Sequence, residues 1–326
     1  MKKIRIGIYG YGNIAKGIEK AIQKNDDVSL EAIFTRRDPS DISTISGIKA
    51  TAADNVLEYV KKIDVMILCG GSAKDLPVQG PELAKHFNTV DSYDNHPKIS
   101  DYMKAVGKQA EMHKKVAVIS AGWDPGLFSM MKSLFSSLLP DGRNQAFWGP
   151  GVSQGHSEAI RRIDGVTGAI QYTVPSEDVM NEVRNGSVKD YTARQKHKRI
   201  CYVAVEKNAD KERISRTIRE MPNYYVDYDV EINYVSLAEL ERKHSRMPHG
   251  GHVFRNGETA EGERYSMEFS MNFGSNPEFT ASIMIAFARA AFRLHSEKIF
   301  GAKTPLDIPL SYLSPKNAKE QVKEFF

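Results

Sequence analysis

The stretch GYGNIAKG, residues 10–17, follows a short apolar run and opens an amphipathic one. In that context a GxGxxG/A pattern binds a dinucleotide. Gly10 permits the tight turn, Gly12 lets backbone approach a pyrophosphate, and Ala15 keeps the helix close to the strand. Tyr11, Asn13 and Ile14 complete the turn, and the helix start offers free N–H groups to phosphate oxygens. An ordinary glycine turn is the bland alternative, and the strand before it argues against that.

The second feature is FTRRDP, residues 34–39, at the end of the next apolar run. Thr35, Arg36 and Arg37 stand where a second strand would meet the adenosine ribose. A carboxylate there would accept from the ribose 2′-hydroxyl and repel a 2′-phosphate. Arginine does the reverse, pairing the phosphate with a planar, permanently charged fork. The expected cofactor is therefore NADP and not NAD. The alternative is a solvated loop in which Asp38 pairs with one arginine. A third glycine-rich run, Cys69, Gly70, Gly71, Ser72 and Ala73, ends another strand-like segment and is expected beside the cofactor.

These groups need a scaffold, and the first 120 or so residues supply its signals. Strand-like runs at 4–10, 28–34, 64–70, 87–93 and 115–122 alternate with helical ones at 13–25, 81–87 and 98–115. That alternation predicts an α/β, Rossmann-type doubly wound parallel sheet. The pattern then changes. Runs at 169–175, 199–206, 229–236 and 264–273 are longer and alternate more, predicting an α+β domain on a mainly antiparallel sheet. Helical signals at 209–220 and 277–297 are expected to cross that sheet. The expected division is 1–122 for dinucleotide binding and 123–299 for substrate binding and dimerisation, with the tail 300–326 packing back on the first domain.

Composition excludes several classes. The 326 residues carry 45 Lys+Arg against 41 Asp+Glu, too near balance and too dispersed for a nucleic-acid binder. No apolar run is long enough to span a bilayer. The start MKKIRIGIYGYG alternates charges with apolar residues, which fits a buried strand better than a leader. Cys69 and Cys201 each lie in a strand-like run and read as reduced, buried thiols, consistent with a cytoplasmic protein without a metal site.

Several polar, aromatic-rich segments remain: VDSYDNH (90–96), SAGWDPGLFS (120–129), FWGPGVSQGHSEAIRRI (147–163), QYT (171–173), HKRICY (197–202) and MPHGGH (247–252). With GYGN, FTRR and CGGSA they resemble the meso-diaminopimelate dehydrogenase family over nearly the whole chain, through the ending YLSPK. WDPG, SQGHS and MPHGGH are far more specific than the glycine fingerprint. Two departures are Ala15, which the fingerprint allows, and Arg246, where a small residue would be more usual.

The resemblance implies a homodimeric, metal-free enzyme of lysine biosynthesis. Its reaction is the reversible NADP-dependent deamination of the D-centre of meso-2,6-diaminopimelate to L-2-amino-6-oxopimelate and ammonia. Asp94 and Asp124 are then the candidate catalytic carboxylates. Either could hold the reacting ammonium, steady the iminium that develops as hydride leaves, or accept the proton through a water. The structural alternatives are a helix cap for Asp94, ahead of Pro97, and a turn residue for Asp124. Carried over as substrate contacts are Trp123 and Trp148 along the carbon chain, and Gln154 and Gly155 at the reacting end. Thr173, Arg199 and His249, assisted by Asn276, are carried over for the distal L-centre. Arg199, if inward, is expected to need a partner carboxylate, and His249 reads as a turn residue. Two other readings stay open: another two-domain NADP reductase, resembling dihydrodipicolinate reductase, and an NADP-binding regulatory module without catalysis.

Overall fold

The structure, a computed structural model, describes residues 3–326. The chain divides into two compact units: the first runs to Met130 and resumes at Pro277, and the second is Met131–Asn276.

In the first unit the strands are β1 (Ile4–Tyr9), β2 (Val28–Thr35), β3 (Ala50–Ala52), β4 (Val65–Leu68), β5 (Asn88–Asp91) and β6 (Val116–Val118). Together with Gly301–Lys303 they form one seven-stranded sheet, ordered Gly301–Lys303, β6, β5, β4, β1, β2, β3. Every pairing in it is parallel. Parallel strands are covered on both faces, which is why VMIL of β4 is buried at all four positions. Strand order reverses between β1 and β4, the point where a doubly wound sheet opens a ligand crevice at its carboxyl edge.

The helix Asn276–Ser296 belongs with this unit and not with the second, a correction to the expected boundary at 299. Its Ala281 meets the glycine of helix Asn13–Ile22: a Cβ added to Gly17 would lie 2.9 Å from Ala281 Cβ and from Pro277 O. Only glycine permits that approach. Farther along, buried Arg289 donates to both carboxylate oxygens of Asp27 at 2.6 and 2.8 Å. The division at the other end also differs from 122, because residues 123–130 group with the sheet. The tail strand Gly301–Lys303 pairs with β6.

In the second unit, β7 (Asp141–Trp148), β8 (Gly151–Val152), β9 (Val166–Pro175), β10 (His197–Val205), β11 (Asp229–Tyr234), β12 (His249–Ala260) and β13 (Glu263–Phe273) form two sheets. One is ordered β11, β10, β9, β8 and the other β13, β12, β7. All their pairings are antiparallel except β10 with β11. That parallel pair arises because helix Lys211–Arg219 carries the chain back between the two strands. The helix buries Ile214 and Ile218 against Cys201, Val203 and Tyr225.

Candidate active site

Four adjacent strands of the first unit, β6, β5, β4 and β1, end at one edge of the sheet, and each is followed by a loop singled out by sequence. After β1, Gly10 adopts φ +94, a conformation that favours glycine. Its N–H donates to Phe34 O at 2.8 Å, and the Cys69 N–H donates to Tyr9 O at 2.8 Å, so the β1 and β4 turns lie side by side. Helix Asn13–Ile22 starts at Gly12 with no side-chain cap and no acidic residue in its first turn. A Cβ added to Gly12 would meet nothing within 4 Å. Uncapped N–H groups facing open space suit the pyrophosphate of a dinucleotide.

At the end of β2 the Thr35 hydroxyl accepts from the Arg37 N–H at 3.1 Å, and the Arg37 guanidinium donates to Tyr11 O. Arg36, with its side chain 63% exposed, donates to Asp75 Oδ1 at 2.7 Å. The partner the sequence suggested, Asp38, instead accepts from Ser40. Asp75 also accepts from the Gly71 N–H at 2.9 Å, so one carboxylate links the arginine loop to the CGGSA loop. The Cys69 thiol is raised by burial, and it packs as a small apolar group and not as a nucleophile.

Asp94 is exposed on the loop after β5, and its N–H donates to Ser72 Oγ at 3.1 Å. It is not a helix cap: the short helix His96–Lys98 begins after Asn95 and has no side-chain cap. Asp124 lies half-buried on the loop after β6. That loop folds back tightly, with the Gly122 N–H donating to Pro125 O at 3.2 Å. A Cβ on Gly126 would lie 1.7 Å from Gly122 O, so only glycine fits. Trp123 is 8% exposed and meets the Phe128 ring edge-on at 5.4 Å.

The second unit gathers the remaining residues around the β8 and β9 ends. His249 is not in a turn: it opens β12, and its ring packs where a Cβ on Gly151 would fall, 2.3 Å away. Gly151 pairs with Thr173 in register, and Thr173 with Arg199. Arg199 is 7% exposed, and contrary to expectation it meets no carboxylate among the described residues. Its guanidinium donates to Thr173 Oγ1 and lies 3.8 Å over the Tyr228 ring. Its Nε has no hydrogen-bond partner among the described residues. A buried guanidinium with a spare donor is a ready site for an incoming carboxylate.

Trp148 ends β7, its N–H donating to His197 Nε2 at 2.9 Å. Burial lowers His197 to about 3, keeping that nitrogen an acceptor. Gln154 and Gly155 open helix Gln154–Arg161. On that helix His156, lowered to about 4 by burial, contacts Ser153 Oγ at 2.7 Å. The Asn276 N–H donates to Met247 O at 2.8 Å, tying it to the loop before His249. Tyr228 and His197 are the contacts that sequence reasoning missed. His197 opens HKRICY, where the adjoining charges of Lys196, Lys198 and Arg199 mask a buried imidazole. Nothing local marks Tyr228.

The profile of the diaminopimelic acid dehydrogenase C-terminal domain matches residues 122–275. The meso-diaminopimelate D-dehydrogenase of Ureibacillus thermosphaericus is 51% identical over 324 residues, covering 99% of both chains. The chain belongs to the meso-diaminopimelate D-dehydrogenase family. Two solved structures are similar throughout. A meso-DAPDH variant with DAP from Clostridium tetani E88 superposes with a TM-score of 0.94 at 47% identity, covering 99% of this chain and 100% of that one. An engineered D-amino acid dehydrogenase bound to NADP+ gives a TM-score of 0.87 at 40% identity, covering 100% of both chains. Like that family, this chain is an α/β oxidoreductase with a Rossmann-type sheet. Among the described residues no helix is long and apolar enough to cross a membrane.

Proposed function

We propose that this protein catalyses the reversible NADP-dependent oxidative deamination of meso-2,6-diaminopimelate at its D-centre, giving L-2-amino-6-oxopimelate and ammonia. The observation that carries this reading is the placement of Asp94 and Asp124 on the loops after β5 and β6, beside the dinucleotide turns of β4 and β1. NADP, when bound, accepts the hydride from the D-α-carbon. The helix start at Gly12–Ile14 and the CGGSA loop hold its phosphates, while Thr35, Arg36 and Arg37 hold the 2′-phosphate.

Asp94 and Asp124 hold the reacting ammonium. One of them accepts its proton, directly or through a water, so that the nitrogen lone pair can form the C=N bond as hydride departs. The remaining carboxylate balances the positive iminium. Water then adds to the carbon and ammonia leaves. Trp123 and Trp148 flank the carbon chain, with Gln154 and Gly155 at the reacting end. Thr173, Arg199, His249 and Asn276 bind the distal carboxylate and ammonium. The Clostridium tetani variant is named for substitutions Q154L, T173I, R199M, P248S, H249N and N276S, and this chain has the same six residue types at those numbers. By this reading the enzyme serves lysine biosynthesis in the cytoplasm as a homodimer.

The test follows NADPH absorbance with meso-diaminopimelate and, in parallel, its L,L isomer. Turnover of meso alone supports the reading. Turnover of both isomers, or of neither, overturns it.

A further inference from the structure

Asp91, the last residue of β5, is a carboxylate only 1% exposed and belongs to none of the groups described so far. Its Oδ1 accepts the Tyr93 N–H at 3.0 Å and the Ser120 N–H at 3.1 Å, and its Oδ2 accepts the Tyr102 hydroxyl at 2.7 Å. Its main-chain oxygen accepts the Ala121 N–H at 2.7 Å. The Tyr93 amide begins the loop that carries Asp94. The Ser120 and Ala121 amides begin the loop that carries Trp123 and Asp124. One residue therefore holds the roots of both loops, and one oxygen bonds both at once.

Two further observations show that the arrangement is not ordinary packing. Ser120 sits at φ +56, in the left-handed region that residues other than glycine seldom enter. A conformation of that kind persists only where its surroundings fix it, and here the Asp91 oxygen receives the amide of the same residue. Burial pushes the Asp91 carboxyl up to about 6, against the hydrogen bonds that pull it down, so the site keeps a charge that costs stability. An apolar residue would fill the space without that cost. It could not hold two amide groups from two loops.

We propose that Asp91 is the positioning residue of the reacting end, fixing the spacing of Asp94 and Asp124 by binding both loops through one carboxylate oxygen. The inference rests on the catalytic reading of Asp94 and Asp124. It adds that the distance between them is set beneath the site, by a group that touches neither substrate nor cofactor.

The test compares variants that keep or lose the shared oxygen. In Asp91→Asn the amide oxygen can still accept both N–H groups, while its nitrogen faces a Tyr102 hydroxyl free to turn and accept. Tyr102→Phe removes the outer bond only. Both should keep kcat within about threefold of wild type. Asp91→Ala removes the acceptor, and a misplacement on the order of 1 Å should lower kcat about 10²-fold. NADP dissociation, read by fluorescence quenching, should stay within about threefold. Asp91→Ser, whose shorter hydroxyl cannot span both loops, is a milder second variant should Asp91→Ala fail to fold, and it should lose kcat in the same direction.

A further measurement separates positioning from general damage. Added to Asp94→Asn, the loss of Asp91 should lower kcat by much less than it does alone, because one of the two carboxylates whose spacing it sets has already lost its charge. Full kcat in Asp91→Ser or Asp91→Ala overturns the inference, as does a loss in Asp91→Asn equal to that in Asp91→Ala, or losses that simply multiply with Asp94→Asn. If Asp94→Asn and Asp124→Asn themselves keep full kcat, the catalytic reading falls and the inference falls with it. Loss in those two beside a normal Asp91→Ala overturns the inference alone.

Discussion

The guanidinium of Arg36 and the carboxylate of Asp75 lie 2.7 Å apart, joining the end of β2 to the loop after β4. Both ends of that pair face solvent enough for the 2′-phosphate of NADP to compete for the arginine. Charge-assisted hydrogen bonds contribute about 1.5–3 kcal/mol each. Arg36→Ala, and separately Arg37→Ala, should therefore lower kcat/KM for NADP roughly ten- to hundredfold while NAD turnover barely changes. Steady-state kinetics with both cofactors checks this. Equal losses with NAD and NADP would remove the arginines from the phosphate site.

Asp94→Asn is nearly isosteric and removes the charge that faces the iminium in the proposed mechanism. A fall in kcat of about 10²-fold or more is expected, the scale of lost acid–base or electrostatic help. NADP affinity, measured by fluorescence quenching, should remain near wild type. Retained kcat would pass the role to Asp124 or to a bound water.

Selectivity for the meso isomer should reside in the distal group. In the proposed binding mode Arg199, buried and with an Nε that has no partner among the described residues, takes the second carboxylate, so an amino acid without one leaves it unpaired. Combining Thr173→Ile, Arg199→Met and His249→Asn should depress turnover of meso-diaminopimelate and bring measurable NADP-linked oxidation of D-leucine. L-Leucine should stay inert. Tyr228→Leu removes the ring beneath the guanidinium and should raise KM for meso-diaminopimelate about tenfold or less, whereas Tyr228→Phe keeps the ring and should not. New activity on L-amino acids in the triple variant would mean that the substrate binds the other way round.

Acid stability should depend on Asp27. Hydrogen bonds from Arg289 hold its carboxyl below the ordinary value, against its partial burial. A carboxylate depressed in the folded state adds stability that is complete above its unfolded value, about 4. That stability is lost as pH falls through the lower folded value. Asp27→Asn leaves a buried guanidinium without its charged partner and should cost about 3 kcal/mol near neutral pH. The gap from wild type should narrow below about pH 4. Denaturant titrations from pH 3 to 7 would show this, and a gap independent of pH would rule the ion pair out as the cause.

Sequence made the first unit readable because its strands are covered on both faces. VMIL and IRIGIY show as apolar runs, and glycines at strand ends mark turns. Glycine misled in the second unit. HGGHVFRNGETA is a twelve-residue strand, and its glycines serve close strand approach: a Cβ on Gly250 would lie 2.5 Å from Met271 O, and one on Gly257 would lie 2.4 Å from Asp141 O. Sequence alone cannot distinguish such a glycine from a turn. Arg199 was legible as inward-facing because a buried strand follows it. Its partners were not, since Thr173 and Tyr228 come from other elements and an aromatic face can stand in for a carboxylate.

The sheet that holds the dinucleotide turns is assembled from both ends of the chain, while Met131–Asn276 forms a unit from one continuous stretch. During synthesis these two cannot mature in the order they are translated. The N-terminal strands emerge first but must wait for Arg289 and the edge strand Gly301–Lys303, which leave the ribosome only after the whole inner stretch. The inner stretch has all its strands once Asn276 is out. A nascent chain arrested some 40 residues beyond that point should yield a protease-resistant inner fragment while its N-terminal part is still cleaved.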